Sequence, residues 1–288
     1  MRERRRWRSE RTPEGSRDPE TGNIIRTLFM SFYQKKSADE LERLRESGKR
    51  LSSVLAKVAA AVAPGVSTEE LDRIAEREIR ACGGIPIFKG YGAEWGKPFP
   101  ASLCTSINEE VVHGIPNPKR IIRDGDLVKL DIGLRFEGMV SDMARTIVVG
   151  SVAPAAQHLL DVTRESLDRG IASIKAGGHL SDYALAVQSY AEANGCSVVR
   201  DLVGHGVGHD LHEDPQVPNY FHAGIRDFAF VEGMTFALEP MINAGAFQVR
   251  VADDGWTFVT KDKSLSAHFE DTIIVTKNGA DILTRGSI

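Results

Sequence analysis

The chain has 288 residues, 42% hydrophobic and 26% charged, with a net charge of −4. That is ordinary globular composition, long enough for one large core or two smaller ones, and the mild charge argues against a general nucleic-acid or membrane binder. No apolar run approaches the roughly 20 residues that span a bilayer, the arginine-rich start lacks the apolar core of a secretory signal, and the cysteines Cys82, Cys104 and Cys196 form neither a metal spacing nor an even disulfide framework, so a cytoplasmic monomer without a membrane partner is expected.

Residues 1–36 stand apart. They carry ten Arg and Lys against five Asp and Glu, a net +5 that leaves −9 for the remainder. Their composition reads as a disordered tail. The alternatives are a basic arm making a transient ribosome contact through RNA, and a start of translation at Met30. Order is expected from Ser37, where Ser37-Ala38-Asp39-Glu40 has the form of a capping box. The helix that follows places Leu41, Leu44, Leu51, Leu55, Val58 and Val62 on one face and ends at Ala63-Pro64-Gly65. Ser67 and Glu70 open a second helix that stops at Gly83-Gly84. After strands and a boundary near Gly150 to Pro154, the plan repeats. A helix carries Leu160, Leu167, Ile171 and Ile174, Gly177-Gly178 breaks it, and Ser181 begins another that closes at Gly195.

The strands repeat as well. Asp124-Gly125-Asp126-Leu127-Val128-Lys129-Leu130-Asp131 is echoed by Glu232-Gly233-Met234-Thr235-Phe236-Ala237-Leu238-Glu239, 108 positions later. A second acid follows in each half, Asp142 before Thr146-Ile147-Val148 and Glu270 before Thr272-Ile273-Ile274. Acids at the ends of strands in two similar halves converge in a fold with internal two-fold pseudosymmetry. Converging carboxylates repel unless protons or cations compensate, and strand interiors are normally poor in Asp and Glu. A metal site is the better reading. With helices ahead of strands in each half, the pattern is α+β in one domain, with halves of about 37–150 and 154–285.

Carboxylate oxygens suit Mg, Mn, Fe(II) or Co(II), and one imidazole shifts the preference toward transition metals. Its source is Gly204-His205-Gly206-Val207-Gly208-His209-Asp210-Leu211-His212-Glu213. Glycines at 204, 206 and 208 argue against a helix with three zinc-binding histidines, since each costs about 1 kcal/mol relative to alanine there. They suit an extended segment approached closely by neighbouring backbone, with His205 as the ligand candidate and His209 read as structural. His113 precedes Gly114-Ile115-Pro116, a turn at a strand end, where functional groups are often displayed. A nucleophile elbow, a phosphate loop and a His-Glu-x-x-His motif are all missing from the sequence.

These motifs closely resemble the type I methionine aminopeptidases of the pita-bread (creatinase/aminopeptidase) fold, over about residues 37–285. Asp131, Asp142, His205, Glu239 and Glu270 match that family's metal ligands in order, and the Ser-Ile-Asn-Glu, His-Gly-Ile-Pro, Leu-Asp-Ile-Gly, Gly-His-Gly-Val-Gly and Leu-Glu-Pro segments all fit. Departures are Leu202, a longer stretch from Phe88 to Pro100, and Ser141 to Thr146, which leans toward aminopeptidase P.

The resemblance implies helices outside a curved antiparallel sheet and two divalent ions (Co, Mn, Fe or Zn). Asp142 and Glu270 would bridge the ions, with Asp131 on one, and His205 and Glu239 on the other. It further implies Glu239 as proton acceptor, His212 at the scissile carbonyl, and His113 at the peptide nitrogen. Cys104, Leu211 and Trp256 would line the methionine pocket, with Phe99 or Tyr91. The implied substrates are nascent polypeptide N-termini with a small second residue. The rival readings are an X-Pro peptidase of the aminopeptidase P and prolidase kind, and a non-enzymatic binding protein of the same fold.

Overall fold

The computed structural model describes residues 33–286. The basic extension, and the tail and ribosome-contact readings attached to it, therefore lie outside the described residues up to position 32. Gln34 and Lys36, counted with the extension in the sequence reading, are part of the folded body, and Lys36 is 5% exposed.

The first helix, α1 (Ala38–Ala60), begins where the capping box places it. The Glu40 carboxylate accepts from Ser37 N–H at 2.7 Å while Ser37 Oγ accepts from Glu40 N–H at 3.3 Å, satisfying two amides that no helical carbonyl can reach. Its apolar stripe puts Leu51, Leu55 and Val58 into a core with Leu71 and Ile79 of α2 (Thr68–Ala81) and Leu130, Ile132 and Leu134 of the sheet beneath. Each of these leucines, wholly removed from water, contributes about 2 kcal/mol of transfer free energy.

In the second half α3 (Pro154–Ser173) opens with proline, whose missing N–H costs nothing at that position. Two boundaries move by a residue or so. Ile174 lies just beyond α3 in extended backbone, though it is still only 1% exposed. The last helix, α4 (Leu180–Ala193), starts ahead of Ser181, because Asp182 accepts from His179 N–H at 2.9 Å and makes His179 the cap.

Every described strand pairing is antiparallel. The first half is dominated by a long hairpin, Leu127–Phe136 with Met139–Val148, flanked by Leu103–Ile107. The second half carries the order 280–282, 271–275, 235–238, 204–206, 213–217. The doubled motif is real in three dimensions. Gly125 and Gly233 both sit at φ +88°, each in the turn that launches its strand, a backbone region that L-residues avoid.

The halves are stitched at their centre. Ala144 and Glu270 exchange backbone hydrogen bonds of 3.3 and 2.9 Å. Thr272 Oγ1 accepts from Asp142 N–H at 2.9 Å and donates to Asp142 O at 2.7 Å. Lys129, 1% exposed, donates to Asn108 O and Ser266 O at 2.8 and 3.0 Å. No helix among the described residues is long and apolar enough to cross a membrane.

Candidate active site

The acids do not all occupy strand ends as the sequence reading had it. Asp131 and Asp142 are mid-strand in the long hairpin, where Asp131 pairs with Ala144 and Asp142 with Gly133. That register puts them diagonally on one face, because side chains alternate with period two. Cys104, directly opposite Asp131, shares the face. In the second half Glu239 follows the Thr235–Leu238 strand and Glu270 precedes Asp271–Val275. His205 pairs with Ala237, so Glu239, two residues on, falls on the face of His205. Two strand parities bring one set of donors from each half to a common centre.

The glycines flanking His205 permit this. A Cβ on Gly206 would lie 2.6 Å from Asp214 O, and one on Gly204 would lie 2.5 Å from Ala237 O. The segment is a strand at Gly204–Gly206, followed by bends through residue 212, and not a helix. His205 Nδ1 lies 2.9 Å from Gly206 O. A carbonyl can only accept, so Nδ1 carries the proton and the Nε2 lone pair faces Glu239 Oε1 at 3.4 Å.

One cavity is lined by all the residues singled out from the sequence: Asp131, Asp142, His205, Glu239, Glu270, His113, His212, Cys104, Leu211, Trp256, Phe99 and Tyr91. His113 takes φ +59° after its strand, with its ring 5.8 Å from that of Phe258 and 6.5 Å from that of Trp256. The His212 ring stands edge-on, 4.3 Å from His205 and 5.0 Å from Tyr91. His209 points elsewhere, toward α1.

Electrostatics mark the centre. Burial pushes Asp131 up to about 7. Burial first, and then mutual repulsion, hold Asp142, Glu239 and Glu270 well above the usual carboxylate range. The histidines move the other way. Burial, then His212, lowers His205 to about 3. Burial, then His212, lowers His113 to about 4, and burial alone takes His212 to about 4. All are neutral imidazoles at pH 7.

These residues fit a divalent cation. Ligand atoms of Asp142, His205 and Glu270 all lie within 4.8 Å of one another. Asp142 Oδ1 and Glu270 Oε1 are buried without a hydrogen-bond partner, an expensive state that a cation relieves. Hard oxygens plus one neutral imidazole form a suitable donor set.

Sequence reasoning missed two residues here. Phe88 lines the cavity beside Phe99. His268, 1% exposed and with neither ring nitrogen hydrogen-bonded, brings Nε2 to 3.8 Å from Glu239 Oε2. Its position two residues before Glu270, on an alternating strand, was the signal available.

An antiparallel two-half fold holding a buried Asp, Glu and His cluster in a cleft defines a metal-dependent hydrolase of the pita-bread class. The model of metallopeptidase family M24 matches residues 42–277, and the chain belongs to that family. It is 44% identical over 264 residues to methionine aminopeptidase B of Synechocystis sp., covering 92% of this chain and 96% of that one. The crystal structure of methionine aminopeptidase from Thermotoga maritima superposes with a TM-score of 0.84 at 40% identity, covering 88% of this chain and all of that one. The prolidase of Pyrococcus furiosus shares the fold, with a TM-score of 0.68 at 22% identity, covering 92% of this chain and 68% of its own.

Proposed function

We propose that the chain is a metalloaminopeptidase that removes the N-terminal methionine from nascent polypeptides whose second residue is small, working as a monomer in the cytoplasm with one catalytic domain that takes in the chain from Tyr33 onward. The observation that carries this reading is the single cleft in which the family's five acidic and imidazole donors meet an aromatic and sulfur-lined pocket. Two divalent ions (Co, Mn, Fe or Zn) would be held by Asp131, Asp142, His205, Glu239 and Glu270, with Asp142 and Glu270 shared. When bound, such ions supply Lewis acidity that makes a hydrolytic water acidic near neutral pH.

The chain's own residues do the rest. Glu239, at the cavity wall beside His205, takes up the proton of the attacking water and returns it to the amine nitrogen as the C–N bond breaks. His212, neutral at pH 7 because its value is lowered to about 4, keeps one ring N–H to donate to the scissile carbonyl oxygen as charge develops there. His113, equally neutral, contacts the peptide nitrogen and steadies the departing amine. Cys104, Leu211, Phe99, Trp256, Phe88 and Tyr91 enclose the methionine side chain. Burial raises the Cys104 thiol well above its usual value, and the carboxylates of Asp131 and Asp142 add to that, so it acts as an apolar wall and not as a nucleophile.

The test is hydrolysis of Met-Ala-Ser against Ala-Pro-Ala by protein loaded with Mn, Fe or Co. Methionine release with no cleavage of Ala-Pro-Ala is expected. Preference for Ala-Pro-Ala would turn the assignment to the X-Pro reading, which the Ser141–Thr146 segment favours. A purified protein that takes up no metal would leave the binding-protein reading. His113→Ala and His212→Ala should keep stoichiometric metal yet lose about 100-fold in kcat or more. For residues 1–36, whose basic composition reads as a tail, the alternative of a transient ribosome contact is tested by co-sedimentation of the full chain against a truncate starting at Met30.

A further inference from the structure

The loop that carries His212 is gripped from outside the cleft by the segment leading into α1. Lys36 and Glu213 form an ion pair whose side chains are 2% and 1% exposed. The other Glu213 oxygen, Oε1, accepts from the backbone N–H groups of His209 at 2.5 Å and Asp210 at 3.1 Å. That carboxylate therefore closes the 209–213 bend into a ring, and Lys36 ties the ring to the start of α1. The His209 ring makes a second tie. Its Nδ1 lies 2.8 Å from Gln34 Oε1 and its Nε2 lies 2.9 Å from Glu40 Oε1, and Glu40 also accepts from the N–H of the α1 cap residue, Ser37. On the opposite side Arg135 donates to His209 O at 2.7 Å and Val140 N–H donates to Gly208 O at 2.6 Å.

Between these ties stand Leu211 and His212, both facing the cavity. The Lys36 stem packs tightly on this loop, since a Cβ on Gly208 would sit 2.5 Å from its Cε. A buried ion pair seldom adds stability over an apolar pair of the same volume, because both charges lose their water. Its presence here is better explained by position than by stability. A displacement of about 1 Å in a catalytic group can cost on the order of 100-fold in rate.

We propose that Lys36 and Glu213 are positioning residues for His212, making the segment from Gln34 to Glu40 a functional part of the active site. The inference rests on the peptidase reading above for the role of His212. It involves no new ligand, and nothing in it requires Lys36 to touch substrate.

The experiment compares wild type, Lys36→Met, Lys36→Met/Glu213→Gln, His212→Ala and Lys36→Met/His212→Ala as metal-loaded full chains on Met-Ala-Ser. Each is also measured for metal content, melting temperature and amide exchange of the 208–214 segment. Lys36→Met should lower kcat about tenfold to a hundredfold with metal content unchanged. Its 208–214 amides should exchange faster while those of 127–136 keep their protection. The Lys36→Met/Glu213→Gln protein leaves no unpaired buried charge, so it should recover melting temperature and yet stay slow. Adding Lys36→Met to His212→Ala should cost little further, since the group being positioned is gone. Recovery of kcat together with melting temperature would reduce the pair to a stability element and overturn the proposal. So would full additivity with His212→Ala. The exchange measurement stands apart from the peptidase reading: unchanged 208–214 exchange sinks the positioning role, whereas faster exchange in a wild-type chain that cleaves no Met-peptide sinks only the assigned activity.

Discussion

The imidazole of His205 gives its Nδ1 proton to Gly206 O at 2.9 Å and presents Nε2 to Glu239 at 3.4 Å. One backbone carbonyl thus fixes the tautomer and aims a lone pair into the acid cluster. Pre-set orientation of this kind normally accompanies metal-ligating histidines.

Asp142 and Glu270, proposed as metal ligands, should be indispensable. Asp142→Asn and Glu270→Gln keep the volume of each side chain but weaken the charge that holds a cation. Metal affinity should fall by more than about 100-fold, with loss of Met-peptide hydrolysis and an unchanged fold. Metal analysis after dialysis, alongside circular dichroism, checks both, and full activity in either metal-loaded variant would end the dinuclear assignment.

Stability of the metal-free protein should depend on pH in a stated direction. Asp131 holds its proton to about 7 in the folded chain, and burial followed by mutual repulsion raises Asp142, Glu239 and Glu270 well above the usual carboxylate range. The unfolded chain releases these protons near pH 4, so the folded state binds more of them and stability falls as pH rises, by up to about 1.4 kcal/mol per proton per pH unit. The lowered histidines oppose this only below their unfolded value of about 6.5. As pH rises above about 6.5, then, the melting temperature in EDTA should drop, and Mn²⁺ should remove most of the slope because ligated carboxylates are ionised. A flat profile in EDTA would contradict the acid cluster described here.

Gly206→Ala should damage the site through the backbone. The new methyl would meet Asp214 O at 2.6 Å and Glu213 O at 3.0 Å, and such overpacking costs about 1–3 kcal/mol. Because His205 is the preceding residue, metal affinity should fall together with melting temperature. Normal metal binding in a destabilised protein would show that the ligand is placed by other contacts.

Lys129→Met should loosen the join between the halves. It removes the ammonium that serves the carbonyls of Asn108 and Ser266 at 2.8 and 3.0 Å; Asn108 O keeps the Ser266 N–H at 3.1 Å, so the loss falls on the buried Ser266 carbonyl, at about 1–3 kcal/mol. For a chain of this size each kcal/mol lowers the melting temperature by about 2–4 °C. Calorimetry should show a drop of several degrees, and an unchanged transition would mean that water serves those carbonyls equally well.

Much of the site could be read from the chain because its signals are local. Asp131 and Glu239 end near-identical runs after Gly125 and Gly233, and those glycines share φ +88°. The helix starts at Ser37 and Ser67 follow from side-chain capping chemistry that needs only a few consecutive residues. His268 escaped notice because the short Ser266–His268 strand carries no motif of its own, and its place two residues before Glu270 is its one local signal. Its closeness to Glu239 arises from the pairing of Met241 with His268 across two strands. The Lys36–Glu213 pair was equally hidden, since its partners are separated by 177 positions.

The sequence by itself determined the candidate donors, their order and the two-fold plan, because strand alternation and glycine-bounded turns are written in neighbouring residues. Only the tertiary structure decided which face each acid occupies, which tautomer His205 adopts, and that His209 serves α1 while His212 serves the cleft. Those outcomes depend on register and on contacts between distant segments, where a shift of one residue turns every side chain to the opposite face.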